Sequence, residues 1–260
     1  MKTIQSTINS IHNQTVKKIT ELHTAQGRKK HGQFIAEGKR SITDFIHHKF
    51  IPLQIYTTLE HSNYALELLQ GLDNHNNPEK LITIVSDVVA KKISTHATPS
   101  NILGIFSIPH NPAPEQLTPG LVLANLTDPG NIGTLIRTAA ALNIQSIVVI
   151  NGADIWNPKI IQATAGALAL VTIFSWTWEE LLRYKKNYQL YALVIKDGQA
   201  PSGLTSHNSL IVVGNEAHGI NPEWLRTCEH KITLPMPGNT ESLNAAIAGS
   251  IALYLAYMHA

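Results

Sequence analysis

Residues 121–143 read LVLANLTDPGNIGTLIRTAAALN. The run Leu121–Leu126 is almost wholly apolar, so it reads as a strand buried on both faces. Asp128-Pro129-Gly130 then turns the chain into a helix over Asn131–Leu142. Pro129 suits a first helical turn, where a missing N–H costs nothing, and Asp128 can cap it. The same alternation continues downstream. Apolar, β-branched runs at Ile147–Ile150, Val171–Phe174, Leu190–Ile195, Leu210–Val213 and Lys231–Leu234 read as strands. Helical patterns lie between or after them at Lys159–Leu168, Trp178–Tyr184, Pro222–Cys228 and Leu243–Met258. Strands alternating with helices call for parallel strands joined by crossover helices, hence an open α/β sheet.

Upstream, Ile108–Gly120 reads IPHNPAPEQLTPG, with four prolines and almost no apolar periodicity. It reads as an inter-domain linker over 108–120, separating residues 1–107 from 121–260. The first part shows helical patterns at Asn13–Thr24, Lys39–His47 and Tyr64–Leu69, with short strands near Leu53–Thr57 and Leu81–Val85. It is expected to be a small α/β domain.

The chain has 260 residues, of which 43% are hydrophobic, enough for a packed core and too many for a disordered chain. Charged residues are 15%, against about 25% in an average protein, which excludes a coiled coil. The single cysteine, Cys228, excludes an intramolecular disulfide framework and a cysteine-rich zinc module. Ala245–Met258 is the longest nearly apolar run and falls short of the roughly 18–20 residues of a membrane span. Met1–Gln14 lacks the apolar stretch of a signal peptide. A soluble cytoplasmic protein without membrane contact is expected.

Charge is unevenly placed. Residues 1–60 hold nine Lys or Arg against four acids, a surplus of five, whereas the whole chain nets +2. Lys17, Lys18, Arg28, Lys29, Lys30, Lys39 and Arg40 fall in this segment. Such a segment is either a solvated face or a polyanion-binding surface.

Several chemistries are excluded. No GxGxxG occurs, and GQFIAEGKR (Gly32–Arg40) has five residues between its glycines where a P-loop needs four. Ser250 in AGSIA lacks the second glycine of a nucleophile elbow. The histidines show no HExxH and no paired cysteines, so no metal site is expected.

Three segments carry a positive signal. In the first, Asn131 and Arg137 are six residues apart, within two helical turns but not stacked on one face. Arg137 precedes a small-residue run, Thr138–Ala141, and needs an anionic partner, either a carboxylate or a phosphate. In the second, LIVVGNEAHGI (Leu210–Ile220), a strand runs into Gly214, Asn215 and Glu216. Ligands of open α/β sheets bind beyond the carboxyl ends of strands, where glycine admits close backbone approach. In the third, ITLPMPGNTESLNAAIAGS (Ile232–Ser250), a proline-rich loop leads to a helix read as starting near Ser242, capped by Thr240 or Glu241. Ser242 and Asn244 then stand at a helix N-terminus, where free N–H groups favour polar ligands. The small residues beyond imply close packing on another helix, either of the same chain or across a subunit boundary.

In order and internal spacing, these segments resemble the three motifs of the SpoU-type (TrmH-like) RNA ribose 2′-O-methyltransferases. DPGNIGTLIRTA and PMPGNTESLNAAIA match nearly letter for letter, and the middle segment matches at Gly214, Glu216 and Gly219. SIHNQTVKKITEL and GQFIAEGKRSITDFI are similar to the ribosomal-protein-like substrate-binding domain that often precedes this catalytic domain. Departures are Pro99-Ser100-Asn101, where relatives commonly have Pro-Gln-Gly, and Asn215 with Ala217-His218 in the middle motif.

The resemblance implies an α/β domain closed by a C-terminal trefoil knot, a topology that periodicity alone does not show. It implies S-adenosylmethionine held by Gly214, Leu234, Met236 and Leu243, and methyl transfer to a ribose 2′-hydroxyl of RNA without a metal. Ribosomal RNA is the expected target, with transfer RNA as the alternative. The family ascribes proton removal to the residue matching Arg137. A guanidinium, with a pKa above about 12, is an awkward base, so Arg137 is expected to contact the target's phosphate or ribose. Asn131 would hold Arg137, while Glu216, Ser242 and Asn244 would position the target nucleotide and the methyl donor. The seven basic residues named above would contact RNA, and the active form would be a homodimer. A relative that binds RNA but has lost catalysis is the competing reading, which retention of all five polar residues opposes. A nucleotide-binding oxidoreductase is opposed by the missing glycine fingerprint.

Overall fold

A computed structural model describes residues 7–70, 78–205, 207–238 and 240–257, and the chain forms two compact units. One comprises residues 1–109 with 154–169, the other residues 110–153 with 170–260.

The first unit is built on β1 (Thr7–Ile8), α1 (Gln14–Glu21), α2 (Ala25–His31), β2 (Gln33–Glu37), α3 (Lys39–His47), β3 (Pro52–Thr57), α4 (Ser62–Gln70), β4 (Ile82–Val85), α5 (Asp87–Ile93) and β5 (Ile102–Ser107). Its mixed five-stranded sheet has the order β1-β4-β3-β5-β2. Alternation along β2 sends Ile35 to one face with Val16 and Ile19 of α1 and Val89 and Ile93 of α5. Phe34 points to the other, where it stacks on its cross-strand partner Phe106 at 5.5 Å and meets Phe45 of α3 at 5.2 Å. The sequence reading missed α2, β2, α5 and β5, because the decisive partners of these short elements lie far along the chain.

Glu37, at the end of β2, is buried and accepts five hydrogen bonds, from Ser94 Oγ, Thr95 N and Oγ1, and Ser100 N and Oγ. Burial pushes its carboxyl pKa up, but the bonds from Ser94 and Thr95 outweigh burial and hold it below the ordinary value. The carboxylate thereby shapes residues 94–100.

The second unit is built on β6 (Gly120–Ala124), α6 (Pro129–Ala141), β7 (Ser146–Ile150), β8 (Thr172–Trp176), α8 (Trp178–Tyr184), β9 (Gln189–Leu193), β10 (Ser209–Gly214), α9 (Pro222–Leu225), β11 (His230–Ile232) and α10 (Ala245–Tyr257). Its six strands are all parallel, in the order β11-β9-β10-β6-β7-β8. Val122, Val148, Phe174, Leu190 and Val212 share one face with Trp178 and Leu181 of α8. The other face carries α6 and α10. A side chain at Gly249 of α10 would come within 2.5 Å of Leu135 and 2.9 Å of Val213, so glycine there sets how closely α10 packs. The small-residue run thus packs on a helix of its own chain. The expected end of that helix, Met258, lies outside the described residues.

Of the stretch read as a linker, residues 110–120 belong to this unit. Leu117 is buried in its core, Asn111 exchanges two hydrogen bonds with Ser175, and Gly120 already belongs to β6. The prolines break regular structure without freeing the chain. Residues 154–169, placed by the sequence reading among the C-terminal crossovers, pack in the first unit. They carry α7 (Pro158–Thr164), with Trp156 at 4.7 Å from Phe34. The longer helix read at Lys159–Leu168 stops at Ala165, whose φ of 48° is left-handed.

Replacing Glu37 with Ala leaves five part-buried donors without this acceptor and is expected to cost about 2–3 kcal/mol. Because the folded carboxyl titrates below its unfolded value, its stabilisation is present above the ordinary carboxylate range and fades as pH falls through the folded pKa. The difference in urea midpoint between wild type and Glu37→Ala should be largest above the ordinary carboxylate range and narrow as pH falls through the lowered folded pKa.

Candidate functional site

Strands β10 and β6 are parallel neighbours, with Gly214 registered against Ala124. The chain therefore leaves both strands at the same end of the sheet, and the two following loops run side by side. Asn125, left-handed at φ 59°, offers its carbonyl to Asn215 Nδ2 at 3.1 Å. Asn215 Oδ1 accepts from Ala217 N at 3.0 Å and His218 N at 3.2 Å, while its backbone exchanges two bonds with Gly219. Residues 215–219 thus form a closed loop clamped to the end of β6. Gly214 is required because a Cβ would lie 2.5 Å from the Gly219 carbonyl carbon and 2.6 Å from Ile220 N.

Asp128 caps α6, accepting from Asn131 N at 2.7 Å, and leaves the Asn131 side chain free to reach outward. Its Nδ2 donates to Glu216 Oε1 at 2.9 Å and its Oδ1 accepts from Asn244 Nδ2 at 3.0 Å. Asn244 in turn accepts from Ala246 N and Ile247 N, so it caps α10. This corrects the reading of a helix beginning near Ser242 and capped by Thr240 or Glu241. α10 starts at Ala245. Three polar residues from three distant segments thus form one hydrogen-bonded chain, Glu216–Asn131–Asn244.

Beyond the carboxyl ends of β9, β10 and β11 lies a cavity of about 390 Å³. Its walls include Gly214, Leu234, Met236 and Leu243, and its polar edge includes Glu216 and Ser242. Strands read as ending at Ile195 and Leu234 stop earlier, at Leu193 and Ile232. The chain leaves the ladder there, and Val194, Ile195 and Leu234 wall the cavity. An apolar wall with a few backbone and polar groups suits a flat heterocycle carrying hydrogen-bonding edges. Val194, Ile195 and His218 also line it and were missed by sequence reasoning. Asn125 was missed as well. The available signal was the pair of glycines, Gly214 and Gly219, bracketing an Asn whose side chain can cap its own turn.

Arg137 is exposed on α6 and makes no hydrogen bond or ion pair among the described residues. The expected hold from Asn131 is absent, since both ends of that amide are engaged by Glu216 and Asn244. No metal-binding cluster occurs among the described residues. Burial, aided by Glu229, pushes the Cys228 thiol pKa up to about 12, which keeps it a poor nucleophile.

Of the basic residues in the first unit, Lys17, Lys18, Lys29, Lys30, Lys39 and Arg40 are exposed. Arg28 is not. It is 2% exposed and donates from Nε to Asp154 Oδ2 and from Nη1 to the Leu22 carbonyl, both at 2.7 Å. Its charge is spent inside the unit, so it is removed from the set expected to contact RNA.

An all-parallel sheet with a cavity beyond three neighbouring strand ends defines a ligand-binding α/β domain. Residues 119–254 match the SpoU rRNA Methylase family, which is more than half of the chain, and the chain belongs to that family. Residues 13–104 match the MRM3-like substrate binding domain. Among curated relatives, the 23S rRNA (guanosine(2553)-2'-O)-methyltransferase RlmP of Bacillus subtilis is 26% identical, over 95% of this chain and 97% of its own. The 23S rRNA (uridine(2479)-2'-O)-methyltransferase of Streptomyces viridochromogenes is 27% identical, over 87% of this chain and 83% of its own. An AdoMet-bound rRNA methyltransferase from Sinorhizobium meliloti shares the fold at a TM-score of 0.86 and 23% identity, covering 99% of each chain.

Gly214→Ala is expected to push the 215–219 loop off the strand end at a cost of about 2 kcal/mol. Calorimetry should show a fall in Tm of about 4–8 °C. Gly203→Ala, where a Cβ meets nothing within 4 Å, should leave Tm in place.

Proposed function

We propose that this chain transfers a methyl group from S-adenosylmethionine to a ribose 2′-hydroxyl of ribosomal RNA in the cytoplasm. The single observation that carries the reading is the meeting of Glu216, Asn131 and Asn244 beside the cavity lined by Gly214, Leu234, Met236 and Leu243. Family membership and the names of the B. subtilis and S. viridochromogenes relatives point the same way.

The cavity fits the methyl donor on this chain's own features. It has room for a nucleoside-sized ligand, its wall is apolar, and Gly214 and Gly219 bring backbone close to its interior. Bound there, the sulfonium supplies an electrophilic methyl group. Leu234, Met236 and Leu243 would hold the adenine, and Glu216 and Ser242 would order the polar end and the incoming nucleotide. Asn131, pinned by Glu216 and Asn244, would keep these groups in fixed relation, so that alignment supplies much of the acceleration. Arg137, with no partner among the described residues, is available to bind the phosphate or ribose of the target and orient the hydroxyl.

The N-terminal part, residues 1–107, would bind RNA through Lys17, Lys18, Lys29, Lys30, Lys39 and Arg40, and residues 121–260 would form the catalytic domain. The C-terminal segment would carry the family's trefoil knot. The active form would be a homodimer joined through α10. Ile247, Ile251 and Tyr254, at 50%, 39% and 54% exposure, form one stripe along that helix. Thr138, next to Arg137, bonds Ser250 of α10 at 2.9 Å, which brings Arg137's turn of α6 against this helix.

Wild-type protein given radiolabelled S-adenosylmethionine and unmodified ribosomal RNA should leave label in alkali-resistant dinucleotides. Arg137→Ala should lower the rate by about a hundredfold or more. Label released as mononucleotides would mean base methylation and would overturn the ribose assignment. For assembly, wild type should run as a dimer in light scattering and Ile251→Glu as a folded monomer. A monomeric wild type at micromolar concentration would sink the dimer reading.

A further inference from the structure

The reaction proposed above gives Asn215 no part. The Asn215 side chain hydrogen-bonds no member of the Glu216–Asn131–Asn244 chain, yet its amide is used at both ends. Oδ1 accepts from Ala217 N and His218 N and closes the turn 215–219, every residue of which lines the cavity. Nδ2 crosses to the Asn125 carbonyl, on the loop that leads into α6 and hence to Asn131. Glu216 sits between these two anchors. We infer that Asn215 is a positioning residue, resting on the methyltransferase reading, with a separate task at each end of its amide. The acceptor end shapes the cavity rim for the methyl donor, and the donor end sets Glu216 against Asn131.

The physical ground is that a five-residue loop carrying an exposed carboxylate has little else to order it. The backbone pair between Asn215 and Gly219 closes the base of the loop, but without the side chain the amides of Ala217 and His218 lose their only bonded acceptor among the described residues. Loss of the Asn125 contact would let the whole loop pivot about Gly214. A shift of about 1 Å at a positioned group is enough to cost about a hundredfold in rate.

Two substitutions separate the tasks. Asn215→Ala removes both ends, whereas Asn215→Asp keeps an acceptor for the turn and loses the donor to Asn125. Asn215→Ala is expected to raise KM for S-adenosylmethionine about tenfold and to lower kcat about tenfold or more. Asn215→Asp should keep KM within about threefold of wild type while kcat still falls about tenfold. Rates are normalised to folded protein by circular dichroism. Amide hydrogen exchange at Ala217 and His218, measured without donor or RNA, should accelerate at least tenfold in Asn215→Ala and stay slow in Asn215→Asp. Unchanged exchange in Asn215→Ala, or both kinetic constants within threefold of wild type, would overturn the assignment. If Asn215→Asp matches Asn215→Ala in KM and kcat, the division between the two ends is wrong. If wild type transfers no methyl group, the reaction assignment fails, and the exchange measurement still decides whether Asn215 holds the loop.

Discussion

The site depends on the parallel, in-register pairing of β10 with β6. Two strands some 90 residues apart in sequence end side by side, Gly214 beside Ala124, and their loops leave in the same direction. Register matters here because both strands are buried on both faces, and a one-residue shift would move every side chain to the opposite face, against a different set of helices. Everything polar at the site is hung from this edge. Asn215 reaches Asn125 and Glu216 reaches Asn131 because the sheet has already brought their backbones together.

The third segment arrives by packing. α10 lies on α6 and β10, and Gly249 permits the close approach. That seating brings the side chain of Asn244, the cap of α10, to Asn131 Oδ1. The hydrogen bonds joining the three segments are exposed, and each is worth about 1 kcal/mol net, so they add little to stability. Their contribution is geometric. They hold a carboxylate and two amides in fixed relation beside a cavity whose shape comes from strand ends and loop backbone.

In the first unit, buried charge is used structurally. Glu37 orders residues 94–100 through five accepted bonds, and Arg28 ties α2 to Asp154 on the returning segment. Both are fully satisfied, the condition under which a buried charge is tolerated. Arg28 shows how a surplus of basic residues misleads when counted along the chain. Its neighbours Lys29 and Lys30 are exposed, while the adjacent turn of the helix faces inward.

From the residues alone, the alternation of apolar strands with helical runs determined the open parallel sheet, and Asp128-Pro129 determined where α6 begins. The three polar segments were legible as a set through their resemblance to the SpoU-type motifs, since local rules alone left each of them open to an ordinary turn or cap. The short elements of the first unit were not legible, since β2 and β5 are defined by each other across some 70 residues. Nor were the start of α10 at Ala245 with Asn244 as its cap, the burial of Arg28, the packing of the proline-rich stretch, or the bonds made at both ends of the Asn215 amide. Each depends on which atoms stand opposite a side chain, and that is decided only when distant segments pack. Local chemistry determined which residues could serve. Tertiary packing decided which of them met, because hydrogen bonds and ion pairs act over about 3 Å and sequence order says nothing about distance at that scale.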